Sequence, residues 1–237
     1  MKVIDDVNED IYYKKKEEII KFLLSVKDEY NPKSFFYLFM MLESGKFLYD
    51  EALLNCNLSA ILSKFDVLRN EKDMYKIFAQ MLEKYSLLNG NCCEVAAGCY
   101  PRLSEIIYPT IEKKKFSLSI YDPKLVIQKL GNAKLYREEF SLKTDITDID
   151  TMIGLFPCDA TIPLVEKALY EDKNLLVGCC SCDHSTSEYP LWVGNYWAED
   201  FCMNLKEEYG NEIKILSWPK YMKNPLPIIL RKKRKTV

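Results

Sequence analysis

Three groups of residues in this sequence have the types and spacing to do chemistry, and each follows a short apolar run. The first is Glu94, Ala96 and Gly98, with Asp122 further on. Cys92–Val95 reads as a strand, Ala96 to Tyr100 as a turn around Gly98, and an amphipathic helical pattern comes next. Phe116 to Ile120 then alternate before Tyr121 and Asp122. In open α/β sheets ligands sit at the carboxyl ends of the strands, where a glycine lets backbone approach and an acid after the second strand binds a ribose diol. Gly98 and Asp122 stand in those places. Ala96 and Tyr100 occupy positions where a glycine-rich dinucleotide loop has glycines, which disfavours a nicotinamide dehydrogenase. Asp122 before Pro123 also reads as a helix N-cap with proline in the first turn, and the two roles can coexist.

The second group, Phe156, Pro157, Cys158 and Asp159, closes the apolar run Thr151 to Phe156. An acid there is placed to act as a general base toward a hydroxyl nucleophile. Asp159 reads equally as a cap for the helix carrying Pro163. The third group follows the run Asn174 to Cys179: Cys180, Cys182, Asp183 and His184. Asp183 and His184 compete with Asp159 as base. Cys180, Cys182 and His184 are soft ligands, but their spacing is not the C-x-x-C of zinc ribbons, and no metal is expected. The chain has nine cysteines, an odd number, and no apolar leader near its start, so thiols outside disulfides are expected. Their commonest fate is to pack as small apolar groups at strand ends.

The elements that must position these groups change character along the chain. Residues 1–90 read as a helical region and 91–237 as a sheet domain. Ile19, Phe22, Leu23 and Val26 share a helical face, as do Phe35, Phe36, Phe39 and Leu42 after Asn31 and Pro32, and Leu58, Ile61, Leu62 and Phe65. Asn70 reads as the N-cap of a helix carrying Met74, Ile77, Phe78, Met81, Leu82 and Tyr85. From Cys92 strands and helices alternate. Leu125 to Leu130 is expected as a short helix closed by Gly131, Lys134 to Phe140 as a third strand, and Leu164 to Leu169 as part of a helix. Tyr196 to Tyr209 is expected as another helix and Ile213 to Trp218 as a sixth strand. Only about eight residues separate that strand from Pro227 to Leu230. A parallel crossover needs a dozen or more, so the last strand is expected to return antiparallel.

An α/β fold follows: a Rossmann-like, seven-stranded sheet with an antiparallel last strand, preceded by the helical region. This pattern resembles the class I S-adenosylmethionine (SAM) dependent methyltransferases. Glu94 to Gly98 resemble a degenerate form of that family's first motif. Gly154 to Thr161 is similar to a segment of the subgroup that includes the tRNA acceptor-stem 2′-O-methyltransferases, with Phe156 in place of a histidine and Ile162 near a missing aspartate. The resemblance implies SAM as cofactor, held by Glu94, Ala96, Gly98, Tyr121, Asp122, Phe156 and Pro157, with Asp159 and Cys158 facing the acceptor. A thiol-based alternative resembles the RNA 5-methylcytosine transferases, pairing Cys158 with Cys180 or Cys182, although Leu155 and Phe156 stand where those enzymes carry an aspartate. A third reading is a degenerate methyltransferase fold serving as a scaffold beside a partner subunit, with Tyr100 filling the methionine space.

At 237 residues, 48% hydrophobic and 29% charged, the composition is that of a globular protein. The formal net charge is −2, which argues against a globally basic nucleic-acid binder. After Glu212, however, Lys214, Lys220, Lys223, Arg231, Lys232, Lys233, Arg234 and Lys235 follow without an acid. The run reads as a solvated final strand and tail or as a phosphate-facing patch, and the second reading together with the resemblance points toward RNA as acceptor, with small-molecule and protein acceptors open. No apolar run approaches the roughly 18 residues of a membrane span, so no membrane partner and a cytoplasmic location are expected.

Overall fold

A computed structural model of the protein describes residues 7–30, 32–45, 47, 58, 61–62, 64–67, 71–180, 197–219 and 226–233. Two helices open it, α1 (Glu9–Ser25) and α2 (Pro32–Ser44). Asn8 starts α1 by accepting a hydrogen bond from the Ile11 amide at 3.3 Å, and Glu9 and Asp10 complement the helix dipole. Tyr12, Ile19 and Leu23 pack with Leu38, Leu42 and Leu62 in an apolar cluster of their own. The Tyr12 hydroxyl donates to the Leu42 carbonyl and ties the two helices together. Helix α3 (Glu71–Lys84) instead buries Ile77, Phe78 and Leu82 against the sheet. Asn70, expected as a cap, and Asn31, expected with Pro32 at the start of a helix, lie outside the described residues.

The sheet contains β1 (Cys92–Val95), β2 (Leu118–Tyr121), β3 (Lys134–Tyr136), β4 (Thr151–Leu155), β5 (Asn174–Gly178), β6 (Ile213–Leu216) and β7 (Ile228–Arg231). Between them run α4 (Arg102–Lys113), α5 (Thr161–Tyr170) and α6 (Trp197–Tyr209). The strand order is β3-β2-β1-β4-β5-β7-β6. Strands β1 to β5 pair in parallel, and β7 runs antiparallel to both β5 and β6. The antiparallel return of β7 is the one that the short final connection requires. Because the chain leaves β1 toward β2 on one side and later returns to β4 on the other, a topological switch point opens beside β1.

Successive side chains of a strand face opposite ways, which sorts the core into two layers. Cys92, Ile153, Leu176 and Leu230 face α3 and α4, whereas Cys93, Met152, Val177 and Ile229 face α5 and α6. The adjacent cysteines of β1 are thus on opposite faces and cannot share a ligand.

One expected element is absent. Residues 125–130 are irregular chain with bends, after a turn at residues 123–124, rather than a helix. Their backbone is used elsewhere: the Val126 amide donates to the Cys99 carbonyl at 2.9 Å, and Arg137 donates to the carbonyls of Leu125 and Ile127 at 3.3 and 2.8 Å. Asp122 therefore caps no helix. Its Oδ1 accepts from the Lys124 amide at 2.7 Å, closing an Asx turn over Pro123. The third strand also ends sooner than expected, at Tyr136.

Candidate functional site

The carboxyl ends of β1, β2 and β4 converge at the switch point. Backbone pairing continues one step past β1, where the Ala96 amide donates to the Tyr121 carbonyl at 2.8 Å. The chain then turns sharply, with φ +54° at Ala96 and +79° at Gly98. Alanine in the left-handed region costs on the order of 1 kcal/mol relative to glycine. Ala96 thus holds the conformation a glycine would hold, and the glycine missing from the motif is not a missing turn.

Asp122 is buried at 8% exposure and clasps this loop: its Oδ2 accepts from the Gly98 amide at 2.8 Å. Each carboxylate oxygen has two lone-pair sites, so after the Gly98 and Lys124 amides each retains one acceptor site. A Cβ added to Gly98 would meet nothing nearer than the Tyr100 carbonyl oxygen at 3.9 Å, so the space beside the loop is open. An acid with acceptor capacity, next to open space and a glycine amide, fits a nucleoside diol.

Glu94 is buried still more deeply and is bonded to α4 instead of the loop. It accepts from the Ser104 hydroxyl and backbone amide in the first turn of α4, a helix whose N-cap, Pro101, offers no side-chain acceptor. The strand thereby supplies the acceptor that the helix start lacks. Burial raises the Glu94 carboxyl to about 7; the Ser104 contacts oppose this and the Asp122 charge adds to it. Ser104 was not singled out from sequence, although a serine in the first turn after a motif acid is the signal that marks it.

At the end of β4, Phe156 and Cys158 also have positive φ, +55° and +47°. Phe156 stacks on Trp218 at 5.9 Å, and Trp218 on Phe78 at 6.1 Å, so an aromatic row closes the α3 side of the site. Pro157 is buried, within the space a Cβ on Gly154 would need. Cys158 and Asp159 are exposed on a 3-10 turn, Cys158–Ala160. Asp159 is not the helix cap expected: α5 starts at Thr161 after Ala160, with no side-chain cap. Tyr121 faces the opposite layer, stacked on Tyr136 at 4.3 Å with Phe140 edge-on at 5.7 Å.

The thiols divide by exposure. None of Cys92, Cys93, Cys99, Cys179, Cys180 and Cys202 is accessible, and Cys158 is the exposed one among the described residues. Burial pushes the Cys92 thiol up to about 12 and raises that of Cys93, while a hydrogen bond with Cys202, together with burial, raises that of Cys179. No group of three or more metal-capable side chains is present among the described residues. Cys182, Asp183 and His184 lie outside them, as do Lys220, Lys223, Arg234 and Lys235.

The rest of the C-terminal basic run is at the far side of the sheet. Because β7 is antiparallel, Arg231 pairs across from Leu175 near the start of β5, at the amino-terminal edge. Arg231 is 3% exposed and bonded to Asp172 at 2.5 Å, with Glu212 at 3.6 Å, and Lys233 bonds Asp150 at 2.8 Å.

No protein-family model matches the chain, and no curated protein matches it. Among solved structures it is similar to a candidate S-adenosyl-L-methionine-dependent methyltransferase from Methanococcus maripaludis, with 12% identity and a TM-score of 0.49 over 80% of this chain and 98% of that one. Among the described residues no helix is long and apolar enough to cross a membrane.

Proposed function

We propose that the chain is a SAM-dependent methyltransferase whose donor site is the crevice between Gly98 and Asp122. The observation that carries this reading is the buried Asp122 carboxylate, bonded to the Gly98 amide across the ends of β1 and β2 and open to a diol at its remaining lone pairs. SAM, when bound, supplies an electrophilic methyl group on a sulfonium. The chain's own contribution is chiefly placement: a fixed donor loop and an acceptor held in line leave little for a reactive side chain to do. In this reading Asp122 orients the ribose, Glu94 holds the loop against α4, and the Phe156 row keeps water from one side. Asp159, exposed beyond β4, takes the proton of a hydroxyl acceptor.

As acceptor we propose RNA. Since Arg231 and Lys233 are in ion pairs, phosphate contacts from the basic run fall to Lys214 and Lys232, which are exposed, and to residues outside the described ones. Binding to tRNA should therefore weaken with salt, with a slope reflecting only a few phosphates. Calorimetry and thermal denaturation with SAM and S-adenosylhomocysteine at millimolar concentration test the donor reading. Saturating ligand at a hundred times its dissociation constant should stabilise the fold by about 2.7 kcal/mol. No heat and no stabilisation would contradict it and favour the scaffold. The thiol alternative has one supporting observation, the exposed Cys158 on a left-handed backbone. Retention of methyl transfer by Cys158→Ala would exclude it.

A further inference from the structure

The position where the family's loop carries another glycine holds Tyr100, and its surroundings give the departure a purpose. Tyr100 is 7% exposed and bonded on two sides. The Lys64 ammonium donates to its hydroxyl at 2.6 Å, and that hydroxyl donates to Glu105 in the first turn of α4 at 2.5 Å. Lys64 also lies 4.1 Å from the Tyr100 ring centroid, 5.1 Å from that of Phe22 and 5.7 Å from that of Phe65. Phe22, on α1, meets Tyr100 edge-on at 6.0 Å. A second tie runs parallel: Arg102 pairs with Glu105 and, at 3.4 Å, with Asp66. Residues of the helical region thus grip the loop that follows Gly98, while Asp122 grips it from the sheet.

We propose that Lys64 and Tyr100 form a latch by which the helical region positions the donor loop, making Lys64 and the Phe22 face of α1 part of the donor site and not an appendage. This rests on the donor reading above. Lys64 is a positioning residue: it touches the loop, and the loop touches the donor. Coupling of this kind is reciprocal, so a bound donor must tighten the helical region by as much as the helical region tightens the donor.

The test uses the full chain and S-adenosylhomocysteine. Lys64→Met keeps a flexible side chain that packs well on aromatic rings but removes the cation, and Lys64→Arg restores it. Lys64→Met should bind the ligand roughly ten-fold more weakly, and Lys64→Arg should regain most of the loss. In the unsubstituted chain the ligand should slow hydrogen exchange of the α1 amides by more than the slowing that stabilising the whole fold gives the sheet amides, and in Lys64→Met saturated with ligand this excess should be lost. Undiminished affinity in folded Lys64→Met, or α1 exchange slowed by bound ligand no more than that of the sheet, overturns the latch while leaving the donor reading in place. Failure of the unsubstituted chain to bind overturns both.

Discussion

The two edges of the sheet use the same materials to different ends. At the amino edge Asn91, Asp150, Asn174 and Lys233 close on one another and on the backbone. Asn91 accepts from the Ser117 amide, its own amide donates to Asp150, and Asp150 also accepts from Lys233, whose backbone amide donates to Asn174. Left-handed residues at this edge end helices: Ser86, Lys115 and Asp172 follow α3, α4 and α5, and each closes the paired hydrogen bonds of a Schellman turn. At the carboxyl edge Ala96, Phe156 and Cys158 adopt the same conformation straight after strands, with no helix end to close. The buried Asp122 there faces a loop and open space. Strain with a capping role belongs to scaffolding, and strain without one, beside an acid with lone pairs to spare, accompanies the proposed donor site.

The acids of the two edges should respond to pH with opposite sign. Burial places the folded-state Glu94 carboxyl near 7, above its ordinary 4.5, so the folded chain keeps a proton that the unfolded chain has lost. Its stabilising effect is complete below about 4.5 and is lost as pH rises through about 7, a swing on the order of 3 kcal/mol. Glu94→Gln should remove that slope in urea unfolding measured across the window. For Asp150 burial acts upward, but Lys233 and the Asn91 amide outweigh it and hold the carboxyl below the usual range. Its contribution is present above the ordinary carboxylate value and lost as pH falls, so Asp150→Asn should flatten the acid limb. Slopes of one sign at both edges would break the contrast.

Smaller effects sharpen it. A Cβ on Gly90 would meet Asp150 at 2.6 to 2.8 Å, so Gly90→Ala should cost about 2 kcal/mol by overpacking, measured by denaturant unfolding, and leave donor affinity unchanged. Ala96→Gly should relieve the left-handed alanine and stabilise the chain by about 0.5 to 1 kcal/mol in the same measurement. A loss of stability there would mean that Ala96 is not strained.

Much of this was legible in the sequence, because strand periodicity, the short final connection and the acid after β2 are local signals. The irregular segment 125–130 was not, because Val126 spends its amide on Cys99 and Arg137 draws off the carbonyls of Leu125 and Ile127, all from outside the segment. The ion pairs of the basic run were not legible for a related reason: charge is visible in a sequence, but the partners of Arg231 and Lys233 are 59 and 83 residues away. Glu94 and Asp122 were read as one cofactor-facing set, and only packing distinguishes the acid tied to α4 from the acid left with acceptor sites.

The most direct measurement sets Asp122 against Asp150. Each accepts one backbone amide on Oδ2 and a second donor on Oδ1, so asparagine at either position puts an NH₂ group against a donor and should cost stability, by about 1 to 2 kcal/mol. Titrating S-adenosylhomocysteine into the folded variants by calorimetry separates them. Asp122→Asn should bind roughly ten-fold to a hundred-fold more weakly than the unsubstituted chain, and Asp150→Asn should bind as the unsubstituted chain does. Equal affinities in the two variants would contradict the placement of the donor at the carboxyl edge.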